Sequence, residues 1–129
     1  MIPLTFEEAL VAELESVSGL SGKVFPLNAA EGTKPPYLIY ISSDGLPDKT
    51  LTGYTESKTI PLEINIICRT YTDLKSLTPA VLAKIRSFQR RTIGMDGPYV
   101  QDVAYDEPVE LLEPQVMWYR SNFDLRISI

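Results

Sequence analysis

The chain has 129 residues, 44% hydrophobic and 22% charged, with 12 Lys and Arg against 17 Asp and Glu, one cysteine and no histidine. At about 150 residues per domain this reads as one soluble globular domain, and its net charge of −5 speaks against generic binding to nucleic acid or to an anionic membrane. The missing histidine excludes Ser-His-Asp and Cys-His nucleophile systems, a zinc site would rest on Cys68 and carboxylates alone, and a lone cysteine cannot build a disulfide framework.

Residues 1–4 carry no basic segment and the longest apolar runs are four or five residues, so neither a signal peptide nor a membrane span is expected. Thr5-Phe6-Glu7-Glu8 has the form of a capping box. Phe6, Leu10, Leu14 and Val17 follow at helical spacing, and Gly19 and Gly22 close the helix. Its polar face is acidic, which argues against a membrane-surface role. Lys23-Val24-Phe25-Pro26 is a short extended piece, placed at a sheet edge by Pro26.

After a loop over 28–36, Tyr37 to Ile41 reads as a strand, with Tyr37, Ile39 and Ile41 on one face. Turn formers then fill 42–49. The clearest strand is 59–70, where Ile60, Leu62, Ile64, Ile66 and Cys68 alternate with mostly polar residues. Cys68 falls on its apolar face and is read as a small buried hydrophobe. A second helix is expected over about 73–90, striped by Leu74, Leu77, Val81, Ile85 and Phe88. Thr78-Pro79 inside it means either a bend or a new cap, and one bent helix is the preferred reading.

Residues 94–98 form a turn, Tyr99 to Tyr105 a strand, and Asp106-Glu107-Pro108 a loop or a break in a long hairpin. The last strand, 116–129, places Met117, Tyr119, Ser121, Phe123, Leu125, Ile127 and Ile129 on one face. The fold class is therefore α+β. An antiparallel or mixed sheet of four to five strands carries two helices packed on one face, in a single domain spanning 1–129.

Catalytic signals are weak. There is no phosphate loop and no nucleophile elbow, and Ser18-Gly19-Leu20-Ser21-Gly22 reads as a helix stop. Asp102, Asp106, Glu107, Glu110 and Glu113 cluster without a base between 101 and 113. Their spacing fits no calcium loop, and Pro108 and Pro114 point to an exposed acidic connection, with an acidic interaction surface as the alternative. From 69 to 91 the balance reverses: Arg69, Lys75, Lys84, Arg86, Arg90 and Arg91 stand against Asp73. This is either a solvated helix face or one half of a head-to-tail contact, in which a basic helix end meets the acidic segment of a neighbouring copy. The 42–58 connection holds Leu46, Leu51 and Tyr54 in polar surroundings. It is either an arm that orders on a partner or an ordinary ragged hairpin.

Val24-Phe25-Pro26-Leu27, Ala30-Glu31-Gly32-Thr33 and Pro36-Tyr37-Leu38-Ile39-Tyr40 lead into Leu51-Thr52-Gly53 and the strand after it. Tyr71-Thr72-Asp73-Leu74 opens the second helix, and Trp118-Tyr119-Arg120 precedes Phe123-Asp124-Leu125 in a late strand. In this order and spacing, over nearly the whole chain, the sequence resembles the small tail-completion proteins of siphophages and prophages, related to the lambda-type tail terminators. The resemblance implies a non-enzymatic α+β virion protein without cofactor. It would assemble with copies of itself into a ring, with a hexamer expected, made in the bacterial cytoplasm and ending at the tail end or neck of the virion. Its partners would be the tail-tube protein and a head-side connector or adaptor, with no membrane and no direct nucleic-acid readout, DNA being free to pass through the ring. The family carries no signature residues. The expected interface residues therefore rest on the charge and loop arguments: Leu46, Leu51, Tyr54, Lys84, Arg86, Arg90, Arg91, Asp106, Glu107, Glu110 and Glu113. The alternatives are another neck or head-side adaptor, and a small non-catalytic module that binds a ligand or peptide.

Overall fold

In chain order the elements are α1 (Phe6–Glu15), β1 (Val24–Pro26), β2 (Tyr37–Ser42), β3 (Leu46–Thr50), β4 (Gly53–Cys68), α2 (Tyr71–Arg86), β5 (Arg91–Thr92), β6 (Tyr99–Val100), β7 (Asp102–Tyr105), β8 (Val109–Glu113) and β9 (Trp118–Ser128). The computed structural model describes residues 6–29, 32–43, 46–94 and 97–129, with backbone alone at 46–50 and 54–56. Thr5, the expected cap of α1, and Met95 and Asp96 of the expected turn lie outside the described residues.

Alternation in β4 and β9 organises the sheet. β4 is 16 residues long and pairs antiparallel with β9 from Thr59↔Ser128 to Cys68↔Tyr119, while its other side pairs with β2 from Leu62↔Ser42 to Ile67↔Tyr37. Because strand side chains alternate, this register puts Ile60, Leu62, Ile64, Ile66 and Cys68 beside Phe123, Leu125 and Ile127 on one face. Both helices cover that face. Leu10 and Leu14 of α1 and Leu74, Val81 and Ile85 of α2 are fully buried in the same cluster. β1 joins β2 in parallel and β7 and β8 pair with β9, so the main sheet is mixed and seven-stranded; β5 and β6 form a separate two-stranded sheet.

The fold class is as expected, but the strand count is higher. The 42–58 segment is a hairpin, one of its two readings, and the acidic segment is a strand. β3 and β4 close over Leu51-Thr52 with Thr50 opposite Gly53, so β4 starts six residues earlier than the alternation indicated. The segment between Pro108 and Pro114 is β8 rather than an acidic loop, and residues 114–117 turn it into β9. The last strand accordingly begins at Trp118, and the 99–105 strand is divided at Gln101 into β6 and β7.

α2 runs unbroken through Pro79, so Thr78 caps no second helix. Its cap is Thr70, whose Oγ1 accepts from the Asp73 amide at 3.1 Å. α1 is anchored at two points near its start. Tyr40 donates its hydroxyl to Glu7 Oε1 at 3.2 Å, and burial beside that carboxylate pushes the phenol up to about 12. At the other side Gly97 abuts the helix so closely that a Cβ there would overlap the Ile93 carbonyl and press into the Ala9 methyl.

This layering predicts a sharp contrast along one strand pair. Ile64→Ala, at a fully buried site between β2 and β9, is expected to lose about 2–5 kcal/mol in urea unfolding. Asp124→Ala, on the exposed opposite face, is expected to change stability by less than about 0.5 kcal/mol.

Candidate functional site

The clustered charges are largely engaged within the chain. Glu110 Oε1 sits 2.7 Å from Lys75 Nζ, Glu113 Oε1 2.9 Å from Arg120 Nε, and Asp106 Oδ1 3.1 Å from Arg126 Nη2. The acidic segment thus meets bases of its own α2 and β9, which its position in sequence did not disclose. Glu107 is exposed.

Of the basic group, Arg91 forms the most developed contact. Its Nη1 and Nη2 each donate to the Glu13 carboxylate at 2.9 Å, and the Gly94 amide donates to Glu13 Oε2 at 2.8 Å. These bonds from Arg91 hold the Glu13 carboxyl below its ordinary range, against the opposing effect of burial. The clamp ties α1 to the segment after α2. Arg86 Nη1 donates to the Tyr105 hydroxyl at 2.8 Å, Arg90 is exposed with φ at 62°, and Lys84 is half-buried on α2.

In the 42–58 segment the paired residues form a two-stranded ribbon. Leu46 stands opposite Thr59 and Tyr54 opposite Lys49, while Leu51 at the tip is fully exposed. β9 ends beside Lys58, whose amide and carbonyl bond the backbone of Ile129, and β2 ends at Ser42. The ribbon therefore continues past the body of the sheet, about 17–20 Å for five or six residues at 3.3 Å each.

Charge and loop reasoning missed two further features. One is an apolar stretch at the β8 edge and the turn after it: Val109, Leu111, Leu112, Val116 and Met117 are all exposed, at 45% to 61% of their surface. The signal was a run of large apolar residues between two prolines, directly before a long strand. The other is the sheet face away from the helices. There Phe25, Tyr37 and Trp118 stack edge to face with ring centroids 6.4 and 6.5 Å apart, around buried Ile39 and Ile67. Asn65 is buried on this face and accepts from Asn122 Nδ2 at 2.8 Å and Arg120 Nη1 at 3.3 Å.

An open groove of about 450 Å³ lies beside Pro36, Arg69 and Asp73. Cys68 lines it, but burial pushes its thiol up to about 11, which keeps it protonated at neutral pH and a poor nucleophile. Among the described residues no three Asp, Glu, His or Cys side chains stand together as a metal cluster.

No protein-family model matches this sequence, and no curated protein does. In three dimensions the chain is similar to a chain of the virion of a native gene transfer agent (GTA) particle, with a TM-score of 0.71 and 12% identity. The likeness covers 95% of this chain and 92% of the other, so it shows that the two share a whole fold.

The Glu13–Arg91 clamp has a defined pH signature. Because the folded carboxyl titrates below its ordinary value of 4.5, its contribution is complete above that value and is lost as pH falls through the depressed one. Glu13→Gln is expected to lose about 1–2 kcal/mol at pH 7. The gap to the parent protein should close in unfolding curves taken at progressively lower pH.

Proposed function

We propose that this chain is a structural protein of a tailed-phage virion or a phage-like particle, one that forms a ring on the end of the tail tube. The ring, with six copies expected, stops further tube growth and offers a new surface to the head-side connector. Its mechanism is geometric: a closed ring whose one face matches the tube end and whose other face matches the connector, with no substrate and no cofactor. Assembly takes place in the bacterial cytoplasm and the product resides at the tail end of the virion.

The observation that carries this reading is the full-length fold likeness to a chain of a GTA virion. The ordered motifs from Val24-Phe25-Pro26 to Trp118-Tyr119-Arg120 support the same assignment. An exposed apolar edge and a ribbon that leaves the body of the fold are features of a subunit that is covered by neighbours. Arg90 and Glu107, exposed on the surface, remain available to contacts between copies.

Electron microscopy of the purified protein, alone and mixed with tail tubes, tests the proposal. Closed rings seated on tube ends are expected. A monomer at every concentration that also ignores tube ends would overturn it, and binding to the head connector but not to tubes would move the chain to the head side of the neck. Limited proteolysis gives a second readout: cleavage near Leu51 is expected in the free subunit and suppressed in the ring. Equal cleavage in both states would remove the ribbon from the assembly contact.

A further inference from the structure

We propose that the cleft between α2 and the start of β8 receives a guanidinium group, carried by an arginine side chain of a partner protein. The site is defined on one subunit and holds whether or not copies close into a ring.

Its floor is a buried hydroxyl without a partner. β9 turns Tyr119, Ser121, Phe123, Leu125 and Ile127 toward the helices, and Ser121 interrupts that apolar row. Ser121 is fully buried between Ile66 of β4 and Glu110 of β8, and among the described residues its Oγ bonds to nothing. A buried hydroxyl in that state costs stability. It lines a cleft of about 220 Å³ whose wall on α2 holds a second such atom, Thr78 Oγ1. The next residue, Pro79, has no amide to give to the Lys75 carbonyl one turn back. Three oxygens with unused bonding capacity therefore belong to one corner of the molecule.

The mouth supplies charge. Glu107 and Glu110 line it from the β8 side and Lys75 from α2. Lys75 Nζ lies 2.7 Å from Glu110 Oε1, and the Tyr71 hydroxyl donates to the same oxygen at 3.5 Å, so both contacts fall on Oε1 and leave Oε2. Glu107 is exposed and has no ion-pair partner among the described residues. Two carboxylates thus face one ammonium, and one negative charge is left uncompensated.

This set of atoms selects its ligand. A divalent ion beside the Lys75 ammonium would overcompensate the charge, and calcium asks for six to eight oxygens. A monocation balances it. Guanidinium carries five N–H donors and no acceptor, matches a carboxylate in two parallel bonds, and lies flat between apolar walls, here Pro79 and Pro108. An ammonium has three donors and no flat face. The surroundings point to a polypeptide as the carrier. Leu112, on the same side of β8 as Glu110, is 45% exposed and stands opposite Tyr119, whose ring meets that of Tyr71, 47% exposed. This apolar ledge beside the cleft suits the neighbours of an inserted arginine.

Titrations of isotope-labelled protein followed by amide NMR test the site. With N-acetylargininamide, saturable shifts are expected at Thr78, Glu107, Glu110 and Ser121, and N-acetyllysinamide is expected to bind about tenfold more weakly. Equal binding of the two would overturn the choice of guanidinium, and calcium binding tightly at these residues would make the cleft a metal site instead. A capped Leu-Arg-Leu peptide is expected to bind several-fold more tightly than the amino-acid amide; equal affinity would overturn a protein as the source and leave a free guanidine. Glu107→Gln, at an exposed position, is expected to weaken argininamide binding about tenfold with unfolding unchanged. Ser121→Ala is expected to weaken it while leaving the free protein at least as stable as the parent. No saturable shift with any probe, or unchanged affinity in both variants, would overturn the site and leave its hydroxyls bonded to water alone.

Discussion

Everything in this molecule hangs on β4 being paired along both sides. Its apolar residues from Ile60 to Cys68 stand between β2 and β9 and supply the surface on which both helices pack. The register is tightly specified, because a slip of one residue would carry five core side chains to the opposite face. From that fixed centre the outer pieces take their places. β1 adds to β2, β7 and β8 divide the length of β9, and the first six residues of β4 run on beyond β9 with only β3 beside them.

Particular residues show where sequence reasoning succeeds. The 60–68 and 119–127 alternations carry their own partner information, since each writes one apolar face at period two, and the stripe of α2 completes the core. The ribbon, left open between an arm and a hairpin, and β8, read as a loop, were obscured for physical reasons. Gly45, Pro47 and Asp48 are turn formers by local preference, yet β3 is held in strand geometry by backbone bonds to β4 that no local preference encodes. β8 carries Glu110 and Glu113 between two prolines, so its composition matches a loop. Its strand character comes from pairing with Asn122 through Trp118. The acids found their partners at separations the eye does not scan, 35 residues for Lys75 and Glu110 and 78 for Arg91 and Glu13.

The charge pattern takes on a different meaning in three dimensions. The sequence separates a basic helix from an acidic segment, which invites a contact between copies. Within one subunit the acidic segment meets a single base of that helix, Lys75 at Glu110, and two bases of β9, Arg120 at Glu113 and Arg126 at Asp106. Exposed pairs of this kind stabilise little, at most about 1 kcal/mol each. Their consequence here is to remove free charge from the β8 edge, which leaves an apolar strand open to pairing.

The central proposal is that the exposed β8 edge and the projecting β3–β4 ribbon are both covered when copies assemble. Amide hydrogen exchange, compared between the dilute subunit and the assembled protein, tests it most directly. Residues 46–50 and 109–113 are expected to exchange quickly when free and to gain protection in concert on assembly, while the amides of 60–68 stay slow in both states. Protection of only one of the two segments, or of neither, in an assembly that has visibly formed would contradict the account.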